Sequence, residues 1–254
     1  MQPPSSAPSP KQGLSAVVAT RFRGCIVRCD VPRDDVARLL PAGIHVGRAP
    51  RVARGRHPLI FIFGEHDGSA LLFASLSLPT GVRFYEMVIA VPYVHATGNT
   101  DPAVYLPRVF TTEPVITWSG NAHYGYSKRM VPIERLGSSY VVSDEAGMLL
   151  AHAVVEPAGA WQAAATSPLA AFPAALGAMP VLGAREGGSI VRSHFEWTFD
   201  RSWVRRVHAS MSIDAPLGRG IERGTHRAVD TASVQVWDLG WRLSWPEPQL
   251  GSAS

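Results

Sequence analysis

The sequence predicts an α+β fold that is mainly antiparallel β, a β-barrel or large curved sheet with a few short helices. Three observations carry this expectation. About nine short runs rich in Phe, Ile, Val and Leu follow one another, each bounded by Gly, Pro, Asp or Thr. Helix punctuation is sparse by comparison. The 254 residues are 46% hydrophobic and only 17% charged, enough apolar material for one large core and too much for a disordered chain.

Taken in order, residues 1–18 are Pro- and Ser-rich and read as a disordered tail, leaving 19–248 as a single domain. Arg21 to Val31 alternates as a strand. In VPRDDVARLLPAG, Pro32 near the start, Asp34 and Asp35 in the first turn and a Pro-Ala-Gly stop mark a short helix. His57 to Phe63, Ala70 to Leu78 and Arg83 to Tyr93 read as successive strands, with His66-Asp67 of GEHDGS at a hairpin turn where Asp and Gly serve the backbone. A helical turn near Thr112 to Trp118 leads through a Gly-punctuated loop to Lys128-Arg129. Further strands are expected at Ser138 to Asp144, Met148 to Glu156, Ile190 to Asp200, Trp203 to Ile213 and Thr231 to Trp245. The stretch from Pro157 to Gly188 is either a boundary or a long loop with a short helix packed on the sheet.

Several function classes are excluded at this level. The longest Ala-rich stretch is broken by Pro168, Pro173 and Pro180, so no apolar run reaches the roughly 18 residues of a membrane span. The start lacks a basic segment followed by an apolar one, and the chain is expected to be cytoplasmic. Cys25 and Cys29 read as buried structural thiols, and no clustered ligands suggest a metal. A net charge of +4 raises nucleic-acid binding, but the arginines are scattered and no recognition motif accompanies them. No Gly-rich loop opens a helix to cradle phosphate.

The basic residues hold a sharper signal. Of 24, only Lys11 and Lys128 are lysines, and Lys11 lies in the tail. In a chain that supplies Arg wherever charge alone is needed, one internal amine points to chemistry a guanidinium cannot perform, because a desolvated lysine can lose its proton and act as a nucleophile. Arg129 follows it, and a fixed cation at about 6 Å in an effective dielectric of about 20 opposes an ammonium by roughly 3 kcal/mol, about two pKa units. Glu86 is the second conspicuous residue. In RFYEMVIAVPY a period of two sets it with Phe84, Val88 and Ala90 on one apolar face, where a carboxylate needs a cation or takes up a proton.

Glu86 followed by Pro92, then Glu113-Pro114, Gly120 and Tyr126-x-Lys128-Arg129, together resemble the acetoacetate decarboxylase family. FRGCIVRCDVPRDDVARLLP is similar to the family's first strand and helix, and APLGRGIERGTHRAVDTASVQVWDLGWRL to its closing loop and last strand. The resemblance implies the acetoacetate decarboxylase-like β-barrel or curved sheet. It implies Lys128 as the amine that forms a Schiff base with a keto acid, Arg129 as the residue that lowers its pKa, and Glu86 as the active-site acid. It further implies Arg23 as a carboxylate or proton-network partner, and Tyr126 and Phe110 as cavity walls. His123, five residues before the lysine, is a candidate proton shuttle. No cofactor is implied, since the imine is itself the electron sink, and a homo-oligomer is expected.

The sequence also departs from the family. Gly120-Asn121-Ala122 stands where the family has Gly-Arg-Glu, and Ser127 where it has Pro. A further family acid falls near Phe61, with Glu65 out of register. These departures weaken the case for decarboxylation of acetoacetate itself and leave aldol, dehydration or cyclisation steps on 2-oxo acids or polyketide-like substrates, as in secondary metabolism, at least as open. The rival expectation is a non-catalytic barrel that binds a small ligand and uses Lys128 only as a charge.

Overall fold

The structure, a computed structural model, describes residues 16–73, 76–213, 224–229 and 232–248. Most of the expected tail and most of the closing Ala-Pro-Leu loop lie outside the described residues. In chain order the first elements are β1 (Ala16–Pro32), α1 (Arg33–Leu39), β2 (Ile44–Val46), β3 (Arg56–Phe73), β4 (Leu76–Pro79), β5 (Phe84–Ala96) and β6 (Ala103–Thr111). Then come α2 (Pro114–Tyr124), β7 (Lys128–Met130), β8 (Ile133–Leu136), β9 (Ser139–Ser143), β10 (Leu149–Pro157) and β11 (Gln162–Ala163). A 3-10 turn leads into α3 (Ala171–Ala178), followed by β12 (Val181–Ala184), β13 (Ile190–Ser193), β14 (Phe195–Thr198), β15 (Trp203–Ile213), β16 (Gly224–Arg227), β17 (Val234–Ser244) and β18 (Glu247–Pro248).

The central layer is antiparallel in the order β17-β1-β3-β5-β6. Two strands join β6 in parallel, β7 and β12. A second layer runs β8-β9-β10-β15-β16. Strand β15 belongs to both layers: Trp203 to Arg206 pair with β17, and Val207 to Ile213 with β10. The sheet is therefore curved and continuous, as expected.

The central layer is buried on both faces, which is why its strands read as nearly unbroken apolar runs. Cys25, Val27, Phe61, Phe63, Met87 and Ile89 point between the two layers into one core cluster. The alternate residues Ile26, Ile60, Val88 and Ala90 form a second cluster on the opposite face, with Leu176 of α3 and Met179 just beyond it. The Pro157–Gly188 stretch thus resolves into two short strands and a helix packed on the sheet.

One expectation is overturned. No hairpin turn exists at His66-Asp67, because β3 runs without a break from Arg56 to Phe73. Gly68 takes φ +63° and its amide is held by the Asp67 carboxylate at 2.7 Å, while the register with β1 slips between Ala19 and Arg21. Asp-Gly chemistry here makes a bulge inside a strand, using the same left-handed backbone that a turn would need. The run from Ile190 to Asp200 is likewise divided into β13 and β14, and the helical turn near Thr112 extends to Tyr124 as α2.

Candidate active site

Helix α2 and strand β7 deliver the lysine. The Glu113 side chain caps the helix by accepting from the Val115 amide at 3.2 Å, and Pro114 opens its first turn. Gly125 closes it in the left-handed conformation at φ +63°, and a Cβ there would lie 2.7 Å from the Ala184 backbone. The chain then turns into β7, where Lys128 lies beside Val109 of β6. Asn121 clamps the Lys128 main chain from both sides. Its Oδ1 accepts from the Lys128 amide at 2.7 Å, and its Nδ2 donates to the Lys128 carbonyl at 2.9 Å. Gly120 leaves room for the lysine stem, since a Cβ at that position would lie 2.5 Å from Lys128 Cδ and Cε.

Lys128 Nζ donates to Glu86 Oε1 at 2.6 Å, and the two side chains retain only 10% and 12% exposure. Burial alone raises the proton affinity of Glu86, but the Lys128 charge together with contacts from His66 overrides it and pulls the carboxyl down to about 2. The resting pair is an ammonium facing a carboxylate. His66 reaches the other carboxylate oxygen, with Nε2 at 3.5 Å from Oε2. The Trp241 indole donates to His66 Nδ1 at 3.3 Å.

These groups sit on a cavity of about 90 Å³. Its walls are otherwise overwhelmingly apolar, with Ile26 and Ile62 on one side, Val104 and Leu106 on another, and Leu176 and Met179 closing it from above. Gly177 rests on Trp197 so closely that a Cβ would come within 2.8 Å of the indole. Tyr126 lines the same cavity and shares a 2.5 Å hydrogen bond with Ser193, and burial pushes its phenol well above the ordinary range, so it stays neutral. Lys128 is the only lysine or arginine among the described cavity-lining residues.

The sequence-derived candidates therefore separate into two groups. Lys128, Glu86 and Tyr126 meet at the cavity. Arg23 does not. Strand alternation turns Phe22 toward the cavity and Arg23 to the opposite face, where it pairs with Glu65 at 3.4 Å and Asp67 at 3.0 Å and stacks on Trp237. Glu65 is held there as well, with Arg83 as its second partner. Arg129 alternates away from Lys128 and is exposed, close enough to Arg108 for the two cations to oppose each other. The charge beside the amine is a carboxylate, not a guanidinium. Phe110 is buried in the core cluster between the layers, opposite Met87. His123 packs its ring between Trp118 and Trp245 at the end of α2, outside the cavity lining.

Two polar side chains at the cavity escaped the sequence reading, His66 and Trp241, as did the Asn121 clamp. A continued two-residue period from Ile60 and Ile62 through Gly64 reaches His66, and this signal was masked by the Asp-Gly pair.

The architecture matches solved structures over nearly its whole length. An enduracididine biosynthesis enzyme, MppR, complexed with pyruvate superposes with a TM-score of 0.62 at 16% identity, covering 91% of this chain and 90% of that one. Acetoacetate decarboxylase from Legionella pneumophila gives 0.62 at 13% identity, covering 96% and 92%. The fold is that of acetoacetate decarboxylase. An acetoacetate decarboxylase-like enzyme from Sphingomonas wittichii gives 0.61 at 14% identity, covering 96% and 97%. No protein-family model matches the sequence, and no curated protein matches it. Among the described residues, no helix is long and apolar enough to cross a membrane.

Proposed function

We propose that the protein is a Schiff-base-forming lyase in which Lys128 condenses with a small keto acid. The observation that carries this reading is the buried Lys128–Glu86 pair at 2.6 Å, opening on an otherwise apolar cavity. An amine becomes a nucleophile only when its proton has somewhere to go, and the carboxylate in contact with it is that acceptor. With its proton affinity depressed, Glu86 holds a proton briefly, which suits a relay better than a store. The Nζ lone pair then attacks the substrate carbonyl carbon, the π pair moves to oxygen, and the carbinolamine loses that oxygen as water. Ammonium plus carbonyl gives protonated imine plus one water, so both hydrogens of the water come from Nζ. The imine next accepts an electron pair from the adjacent carbon. In a 3-oxo acid, breaking the bond from that adjacent carbon to its carboxylate releases carbon dioxide and leaves an enamine. In a 2-oxo acid, whose carboxylate is on the imine carbon, loss of a proton from the adjacent carbon to a base leaves the enamine that carbon–carbon bond formation or dehydration uses. Tyr126 forms part of the wall. The pyruvate held by MppR, a 2-oxo acid, supports a keto-acid substrate.

The ion pair also favours a second reading, a ligand-binding barrel in which Lys128 is only a charge. One experiment separates the two. Borohydride is added with a panel of keto acids, and the product is mapped by mass spectrometry. The enzyme reading expects a reduced adduct on Lys128, and Lys128→Arg, which keeps the charge, should abolish both adduct and turnover, a loss of roughly 10³-fold or more. Absence of any adduct on the wild-type lysine would sink it. Carbon dioxide release from the same panel distinguishes decarboxylation from aldol or dehydration chemistry.

A further inference from the structure

We infer that His66 is a positioning residue for the imine chemistry, holding Glu86 so that one carboxylate oxygen stays on Lys128 Nζ; this rests on the reading above. The histidine is buried at 5% exposure within β3. Its ring stacks on Phe84 at 4.6 Å and leans on Phe22 at 5.2 Å, so it has little freedom to turn. Its polar contacts define which nitrogen carries the proton. Trp241 Nε1 has only a donor to offer, and His66 Nδ1 accepts it at 3.3 Å. An accepting nitrogen bears no hydrogen, so the neutral ring carries its proton on Nε2, the atom facing Glu86 Oε2 at 3.5 Å. At 3.5 Å the contact is longer than a hydrogen bond, as catalytic contacts often are before substrate binds.

Glu86 is thereby spanned between two donors, Lys128 Nζ on Oε1 and His66 Nε2 on Oε2. The aromatic rings packed on the imidazole among the described residues are Phe22 from β1, Phe84 from β5 and Trp241 from β17, none of them charged. A ring needed only for packing among these aromatics would be served by Phe. A nitrogen on each side, one taken by an indole donor and the other aimed at the carboxylate, serves orientation instead. Where the two contacts cooperate, the carboxylate that receives the Nζ proton is already in line with it when a carbonyl arrives.

The test begins without substrate. In protein carrying ¹⁵N-histidine, the His66 nitrogens should show the Nε2–H tautomer, and Trp241→Phe should turn this into a mixture; an Nδ1–H tautomer in the wild type overturns the inference. With keto acid and borohydride, His66→Phe should slow trapping on Lys128 by about tenfold to a hundredfold, the worth of one hydrogen bond to a charged group, without changing the melting temperature by more than a few degrees. His66→Gln, which keeps a donor in reach of Glu86, should recover most of that loss. Wild-type trapping rates in the Phe variant, or equal losses in the Phe and Gln variants, overturn it. Should the Phe variant fail to fold, Trp241→Phe decides by the same assay, with a several-fold loss expected and none fatal to the idea. A wild type that traps nothing while showing the Nε2–H tautomer speaks against the imine reading itself.

Discussion

Glu65 and His66 are neighbours on β3, and the strand sends them into opposite electrostatic worlds. Glu65 turns to the face where Arg23, Arg83 and Asp67 form a network of fixed charges, with Arg83 itself largely exposed. His66 turns to the face where a single amine and a single carboxylate meet among apolar walls. The partners differ in kind as well as in surroundings. A guanidinium keeps its proton at any physiological pH, so the outer network can hold structure but cannot exchange protons. A lysine against a carboxylate can do both, and only there does an apolar-walled cavity give a proton transfer its full weight.

Changes on the inner face should therefore act on activity, and changes on the outer face only on stability. The largest effect after loss of Lys128 is expected from Glu86→Gln. Without its proton acceptor the lysine should be trapped by keto acids about a hundredfold more slowly, read as the rate of borohydride-dependent adduct formation. The same variant tests the acid limb of stability. Because the carboxyl is held at about 2 against an ordinary 4.5, its contribution is present above about 4.5 and is lost as pH falls toward 2. Chemical denaturation across that window should show the wild type losing stability that the Gln variant never had.

A smaller effect is expected from Gly120→Ala, whose new methyl would strike the Lys128 stem. Trapping should fall about tenfold while the melting temperature holds or rises, since Ala favours a helix over Gly by roughly 1 kcal/mol. A variant with unchanged trapping would show that the stem has room to shift. The least effect is expected from Arg23→Gln on the outer face. Its ion pairs are partly solvated, so thermal denaturation should register no more than about 1 kcal/mol, with wild-type trapping. Strong loss of activity in this variant would place the boundary between the faces elsewhere.

The fold was legible where one rule governed the residues. Alternation set Glu86 with Val88 and Ala90, and the cavity opens on that face. The rarity of lysine singled out Lys128, which lies at the centre of the site. Three of the four misplacements share one physical cause, that side chains adjacent in sequence point apart on a strand; His123 instead lies at the end of α2, packed between Trp118 and Trp245. Arg23, Phe110 and Arg129 each sit one position from a residue of the cavity, Phe22, Val109 and Lys128, and each is turned away from it. The missed His66 has another cause. Asp-Gly satisfies a hairpin and a bulge equally well, and only the pairing of β1 with β3 across the interruption selects the bulge.

The roof of the cavity comes from a different stretch of chain than its reactive end. Leu176 and Met179 stand at and just beyond the end of α3, and Gly177 is pressed on Trp197, whereas the amine and the carboxylate stand on β7 and β5. Substitutions in that short helix can reshape the space above the lysine without moving the proton-handling groups, so selectivity and reactivity are free to evolve at separate rates.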